Sequence, residues 1–124
     1  MRKKILIVDD SATVRQVLTT TLRGTGYEVV EAADGQEALD YLDDRQLEPI
    51  NMLITDLNMP RVDGIDLIRQ VRRSQGFRFV PIIMLTTETE ENRKQAGKAA
   101  GASGWVVKPF KPDQLLAVVN MVMA

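Results

Sequence analysis

Five short apolar runs punctuate this chain, and between them stand stretches whose apolar residues recur at helical spacing; few folds satisfy both patterns in strict alternation. Lys4 to Val8 is a continuous β-branched and leucine run, the signature of a strand covered on both faces. From Ala12, Val14, Val17, Leu18 and Leu22 follow a helical period that Gly24 or Gly26 closes. Tyr27 to Ala32 reads as a second strand, followed by Asp34-Gly35-Gln36-Glu37 at capping-box spacing and a helix through Leu39 and Leu42. The charged, proline-containing stretch Asp43 to Pro49 leads to a third strand, Met52 to Ile54, which ends on Asp56. Ile65, Leu67, Ile68 and Val71 mark a third helix that fades at Ser74-Gln75-Gly76. Val80 to Leu85 is the fourth strand, with Pro81 tolerable only near its start. The helix over Thr89 to Ala100 offers only Ala96, Ala99 and Ala100 as an apolar face and carries Gly97 in its middle, so it is expected to pack weakly and move. Gly104 to Val107 is a fifth strand, and Pro112 suits the first turn of a last helix, Asp113 to Met123. Five strand-helix units in this order imply an α/β fold, a doubly wound five-stranded parallel sheet with helices on both faces, joined by right-handed crossovers.

The polar residues that end these strands fall in register. Asp9 and Asp10 close the first, Asp56 the third, Thr86 the fourth and Lys108 the fifth. In open parallel sheets ligands sit outside the carboxyl ends of the strands, so this edge gathers three carboxylates, a hydroxyl and a cation where chemistry is done. Singly, each has an ordinary structural reading. Asp56 can open the turn that Pro60 and Gly64 continue, Asp9-Asp10 can cap the first helix, Thr86 can be a strand-end β-former and Lys108 a solvated surface lysine. Together they argue for a site, because three close carboxylates repel one another unless a cation intervenes. An oxygen-only cluster with few ligands suits a magnesium ion that keeps several waters, making Asp56 both metal ligand and nucleophile.

Composition narrows the chemistry. The 124 residues hold neither histidine nor cysteine, which removes imidazole bases, His phosphodonors, disulfides and thiol chemistry. Acid, base and metal work falls to carboxylates, amides and lysine. A formal net charge of -1 gives no basic footprint for nucleic acid or an anionic membrane. The apolar run after Met1-Arg2-Lys3-Lys4 is stopped at once by Asp9-Asp10, so neither a signal sequence nor a membrane span is read, and a cytoplasmic setting is expected.

Five stretches, in order, carry a resemblance: Ile7-Val8-Asp9-Asp10-Ser11, Asp56-Leu57-Asn58-Met59-Pro60, Asp63-Gly64, Leu85-Thr86-Thr87-Glu88 and Gly101-Ala102-Ser103-Gly104-Trp105-Val106-Val107-Lys108-Pro109-Phe110. Through them the chain resembles a response-regulator receiver domain, of the stand-alone chemotaxis kind represented by CheY, as one domain over residues 1–124. The resemblance implies the flavodoxin-like strand order 2-1-3-4-5 and a two-component signalling function. Asp56 would take a phosphoryl group from a phosphohistidine on a partner histidine kinase. By the same likeness Asp10, Asp56 and the backbone carbonyl of Asn58 bind magnesium directly, Asp9 binds it through water, and Lys108 neutralises phosphoryl charge. Thr86 would hydrogen-bond the new phosphoryl group, and Trp105 would swing into the space vacated beneath it. Lys108-Pro109 matches a cis peptide of the family. Asn58 and Glu88 match positions that tune the attacking water, implying fast self-dephosphorylation.

On this reading the chain is a phosphoacceptor that assists its own chemistry, not an enzyme with turnover. Its implied partners are the kinase, an output protein such as a flagellar motor switch component, and a phosphatase. The output face would comprise the fourth helix, the Trp105 strand and the last helix, whose Leu115, Leu116, Val118, Val119, Met121 and Val122 exceed one core-facing stripe. Two departures bear on that face: relatives of the chemotaxis kind commonly carry tyrosine at Trp105 and alanine at Thr87. Three other readings stand beside this one: a magnesium-dependent phosphatase of the haloacid dehalogenase type, a binding-only module that kept the fold, and a flavin binder. The first would need a general acid two residues after Asp56, where this chain has Asn58.

Overall fold

The computed structural model describes residues 2–44, 46–87 and 89–123. Strands β1 (Lys4–Val8), β2 (Glu28–Ala32), β3 (Met52–Asp56), β4 (Ile82–Thr87) and β5 (Gly104–Lys108) alternate with helices α1 (Ala12–Gly24), α2 (Gly35–Asp43), α3 (Gly64–Arg73), α4 (Glu91–Ala100) and α5 (Pro112–Met123). The strands form one parallel sheet in the order β2-β1-β3-β4-β5. Register sets the edge: Val8 pairs with Thr55, Asp56 with Leu85, and Thr87 with Lys108, so the polar strand ends share one side of the sheet.

Alternation along each strand divides the interior in two. Ile5, Ile7, Met52, Ile54, Ile83, Leu85 and Val106 face α1 and α5, where they meet Leu18, Leu22, Leu115 and Val119. Leu6, Val8, Leu53, Ile82 and Met84 face the other helices, against Ala38, Ile65, Ile68 and Val71. Three helices begin on side chains that satisfy a free amide of the first turn. Ser11 Oγ accepts from Val14 N–H at 3.2 Å, Asp34 Oδ1 from Glu37 N–H at 2.8 Å and Asp63 Oδ1 from Asp66 N–H at 2.9 Å.

The fourth strand starts at Ile82, two residues later than the apolar run at Val80 predicts. The cause is local. Pro81 has no N–H for a ladder, and the Val80 carbonyl accepts from the Arg72 guanidinium at 2.6 Å. The same guanidinium bonds the carbonyl of Gly101, at 2.8 Å and 3.0 Å from two of its nitrogens, so Arg72 ties α3 to the chain entering β4 and to the end of α4. The strand then continues past Leu85, because Thr86 and Thr87 find partners in Val107 and Lys108.

The fourth helix buries a single residue among those described, in line with its small apolar face. Gly97 is buried on α4, and a side chain there would collide with the sulfur of Met84 and touch Leu57 at 3.7 Å. The glycine that lowers helix propensity is what lets α4 approach the sheet, with Ala96 and Ala100 packed beside it. Among the described residues no helix is long and apolar enough to cross a membrane.

Candidate functional site

Three strand ends bring the site together. Asp9 follows β1, Asp56 is the last residue of β3 and Lys108 the last of β5. Asp9 has no exposed surface and Asp56 is 7% exposed, whereas Asp10 lies open to solvent. Oxygens of Asp9, Asp10 and Asp56 all lie within 4.8 Å of one another.

Burial of the two inner carboxylates requires compensation, and the chain supplies it. Asp9 Oδ2 accepts from Lys108 Nζ at 2.7 Å, and Asp9 Oδ1 accepts from Ser11 N–H at 2.8 Å. Asp56 Oδ1 accepts from Leu57 N–H at 2.8 Å and lies 3.4 Å from Lys108 Nζ. Desolvation pushes the Asp56 carboxyl above its ordinary range; the Lys108 charge opposes this and the Asp9 charge adds to it. Burial alone would draw the Lys108 ammonium down, but the hydrogen bond to Asp9 and the charges of Asp56 and Asp9 outweigh it and hold the ammonium above its ordinary value. The Lys108–Pro109 peptide bond is cis.

The loop after β3 is shaped by close approach. A side chain at Gly64 would strike the Asp56 carbonyl oxygen and stand 2.8 Å from Leu57 Cα, so only glycine lets α3 begin against the strand end. Gly64 N–H donates to Leu57 O at 2.9 Å. Arg61, with φ at 68°, turns this loop back so that its guanidinium forks onto the Asp34 carboxylate, both oxygens accepting at 2.8 Å from Nη2.

Thr86 is buried at the end of β4, and its hydroxyl donates to the Thr87 carbonyl at 3.2 Å. Trp105 lies at the surface, 39% exposed, with Lys94 Nζ 5.0 Å and Lys98 Nζ 3.9 Å from its ring centre. Glu88 lies outside the described residues. Of the remaining sequence candidates, Asp9, Asp10, Asp56 and Lys108 converge directly, Asn58 lies on the loop after Asp56, Thr86 follows Leu85, the β4 partner of Asp56, and Trp105 pairs with Met84 from β5.

One participant was missed. Glu90 accepts from the N–H and the hydroxyl of Thr87, at 2.9 Å and 2.8 Å, and from the side-chain amide of Asn58. Burial opposes its ionisation, but those hydrogen bonds from Thr87 and Asn58, with the nearby Arg93 charge, hold its carboxyl below the ordinary range. The signal was present: Thr87-Glu88-Thr89-Glu90 has the Ser/Thr-x-x-Glu spacing of a capping box. Arg93, one turn further on, donates to Leu57 O at 2.8 Å.

The flavodoxin-like sheet thus gathers a carboxylate cluster and a lysine at its carboxyl edge, where ligands of such sheets bind. The chain belongs to the response regulator receiver domain family, whose pattern matches residues 5–120, and whose general function is to accept a phosphoryl group in two-component signalling. It is 41% identical over 121 residues to the chemotaxis protein CheY1 of Helicobacter pylori, covering 97% of this chain and 96% of that one. The chemotaxis response regulator CheY4 of Vibrio cholerae superposes with a TM-score of 0.90 at 46% identity, covering 98% of this chain and 99% of that one. The receiver domain of the sensor histidine kinase PA1611 of Pseudomonas aeruginosa superposes with a TM-score of 0.88 at 28% identity, over 99% and 98% of the two chains, and holds a magnesium ion in its active-site cleft.

Proposed function

We propose that Asp56 is the phosphoacceptor of a chemotaxis receiver, and that Lys108, Asp9, Asp10, Thr86 and Asn58 serve the transfer onto it. The observation that carries this reading is the convergence of three carboxylates within 4.8 Å, with Lys108 Nζ 3.4 Å from the middle one. Among the described residues the donors to the Asp56 side chain fall on Oδ1, which leaves Oδ2 as the attacking oxygen. Oδ2 forms the new oxygen–phosphorus bond as the phosphorus–nitrogen bond of a kinase phosphohistidine breaks, and the leaving imidazole keeps the electron pair and takes up a proton. The product is an acyl phosphate.

The donor set fits a hard divalent cation, since the cluster is all oxygen and Asp10 stays open to solvent. Asp10, Asp56 and the Asn58 carbonyl would hold magnesium directly and Asp9 through water; once bound, it neutralises charge on the phosphoryl oxygens. Lys108, beside Asp9 and Asp56, supplies the second positive charge. The Thr86 hydroxyl, now spent on the neighbouring Thr87 carbonyl, would turn to the phosphoryl group and draw the end of β4 inward. Trp105, two residues before Val107, the β5 partner of Thr86, would report this movement to the face formed by α4, β5 and α5. That face combines Trp105 with the exposed Met121 and the partly buried Val118 and Val122, and an output protein of the chemotaxis pathway is its proposed partner. The near full-length likeness to CheY1 and CheY4 supports this assignment.

The test is to incubate the protein with magnesium and acetyl phosphate and to follow intact mass alongside Trp105 fluorescence. One added phosphoryl group, absent from Asp56→Asn and prevented by chelating magnesium, with a fluorescence change, is the expected result. A wild-type chain that gains no mass overturns the assignment.

A further inference from the structure

The Glu90 carboxylate bridges the end of β4 and the loop that follows Asp56. On one side it accepts from the N–H and hydroxyl of Thr87, the residue after Thr86 at the end of β4. On the other it accepts from the side-chain amide of Asn58, on the loop that follows Asp56. Arg93, on the same helix, adds a second grip on that loop through the Leu57 carbonyl at 2.8 Å. The Thr86 hydroxyl is bonded to Thr87 O, and Thr87 is itself pinned twice to Glu90.

From this geometry we propose that Glu90 is a positioning residue that latches the resting state, and that its hydrogen bonds to Thr87 and Asn58 must yield before Thr86 and Asn58 can serve a phosphoryl group on Asp56. The proposal rests on the reading of Asp56 as phosphoacceptor. A contact made only in the resting state lowers the population of the competent state, and so weakens by the same factor anything that binds that state alone. Hydrogen bonds to a charged acceptor are strong enough for the loss of even one to be visible; removing the carboxylate should raise apparent affinity for a phosphoryl mimic about tenfold.

The experiment is titration of the full chain with beryllofluoride, in saturating magnesium, on wild type, Glu90→Ala and Glu90→Gln, read by Trp105 fluorescence, with urea unfolding measured in parallel. Glu90→Ala is expected to bind about tenfold more tightly, and Glu90→Gln, which keeps an acceptor for Thr87, to fall between it and wild type. A merely structural role would change the unfolding midpoint without raising affinity. Thr87→Ala, which removes one bond of the latch at a partly exposed position, gives a second reading if Glu90→Ala does not fold; it should bind more tightly than wild type, by a smaller factor. Wild-type affinity in Glu90→Ala, or in Thr87→Ala should the former not fold, overturns the latch while leaving the phosphoacceptor reading intact. A wild-type chain that binds no beryllofluoride overturns both.

Discussion

Lys108 is bonded more closely to Asp9 than to the carboxylate it is proposed to serve: its ammonium stands 2.7 Å from Asp9 Oδ2 and 3.4 Å from Asp56 Oδ1. Asp9 has no exposed surface, and the Lys108 side chain is 21% exposed. The lysine thus has two duties, compensating a buried charge and keeping a cation beside the acceptor oxygen. Replacing it should be felt before any phosphoryl group arrives. Lys108→Met is expected to lose about 2–3 kcal/mol of unfolding free energy in chelator, because the buried Asp9 charge loses its partner. Asp9→Asn on the same background should restore part of that loss, since it removes the orphaned charge. Urea unfolding of the two variants decides it: an unaffected Lys108→Met would mean that the pair contributes nothing net.

Gly64 offers a test of how tightly the acceptor loop is held. A methyl group there would strike the Asp56 carbonyl oxygen and come within 2.8 Å of Leu57 Cα. Both are backbone atoms with no flexible end to give way. Gly64→Ala should therefore cost about 1–3 kcal/mol as an overpacked site, although alanine is the better helix former at an unobstructed position. The same displacement should weaken magnesium binding, measured by fluorescence titration, since it moves the strand end that carries Asp56. Unchanged stability and magnesium affinity would show that α3 shifts freely.

Asp34 provides the pH dependence. Its carboxyl is held below the ordinary value of 3.8 chiefly by the Glu37 N–H it accepts; burial opposes this, and the hydrogen bond and charge of Arg61 add to the lowering. A group whose folded pKa is depressed contributes stability that is present above its unfolded pKa and lost as pH falls through the folded one. Asp34→Ala should thus be about 1 kcal/mol less stable than wild type at neutral pH, the usual worth of a helix cap, and the gap should close in acid below the unfolded value. Paired denaturant curves across that range test this. A gap that persists unchanged in acid would assign the effect to packing, not to the ionised cap.

Much of the site was legible because strand ends are easy to read. An apolar run that stops on Asp9-Asp10, Asp56, Thr86 or Lys108 places its polar residue at the sheet's carboxyl edge through local pattern alone, and parallel order makes those edges coincide. The start of β4 was misplaced by two residues because Val80 is apolar enough for a strand, while its carbonyl is claimed by Arg72, a residue eight positions earlier on another element. Helix α4 shows a related limit of local reading. Propensity counts Gly97 as a weakness, but its close approach to the Met84 side chain exists only once helix and sheet meet.

The sequence by itself determined the alternation of strands and helices, the chemistry left to a chain without histidine or cysteine, and which carboxylates and lysine end the strands. Those are properties of neighbours in the chain, set by period and residue type. Only the tertiary structure decided that Lys108 binds Asp9 more closely than Asp56, that Gly64 lets α3 press against the acceptor strand, and that Glu90 joins the loops of Asn58 and Thr87. Such contacts join residues far apart in the chain or depend on how closely two elements approach. Backbone packing sets those distances; local sequence preference leaves them open.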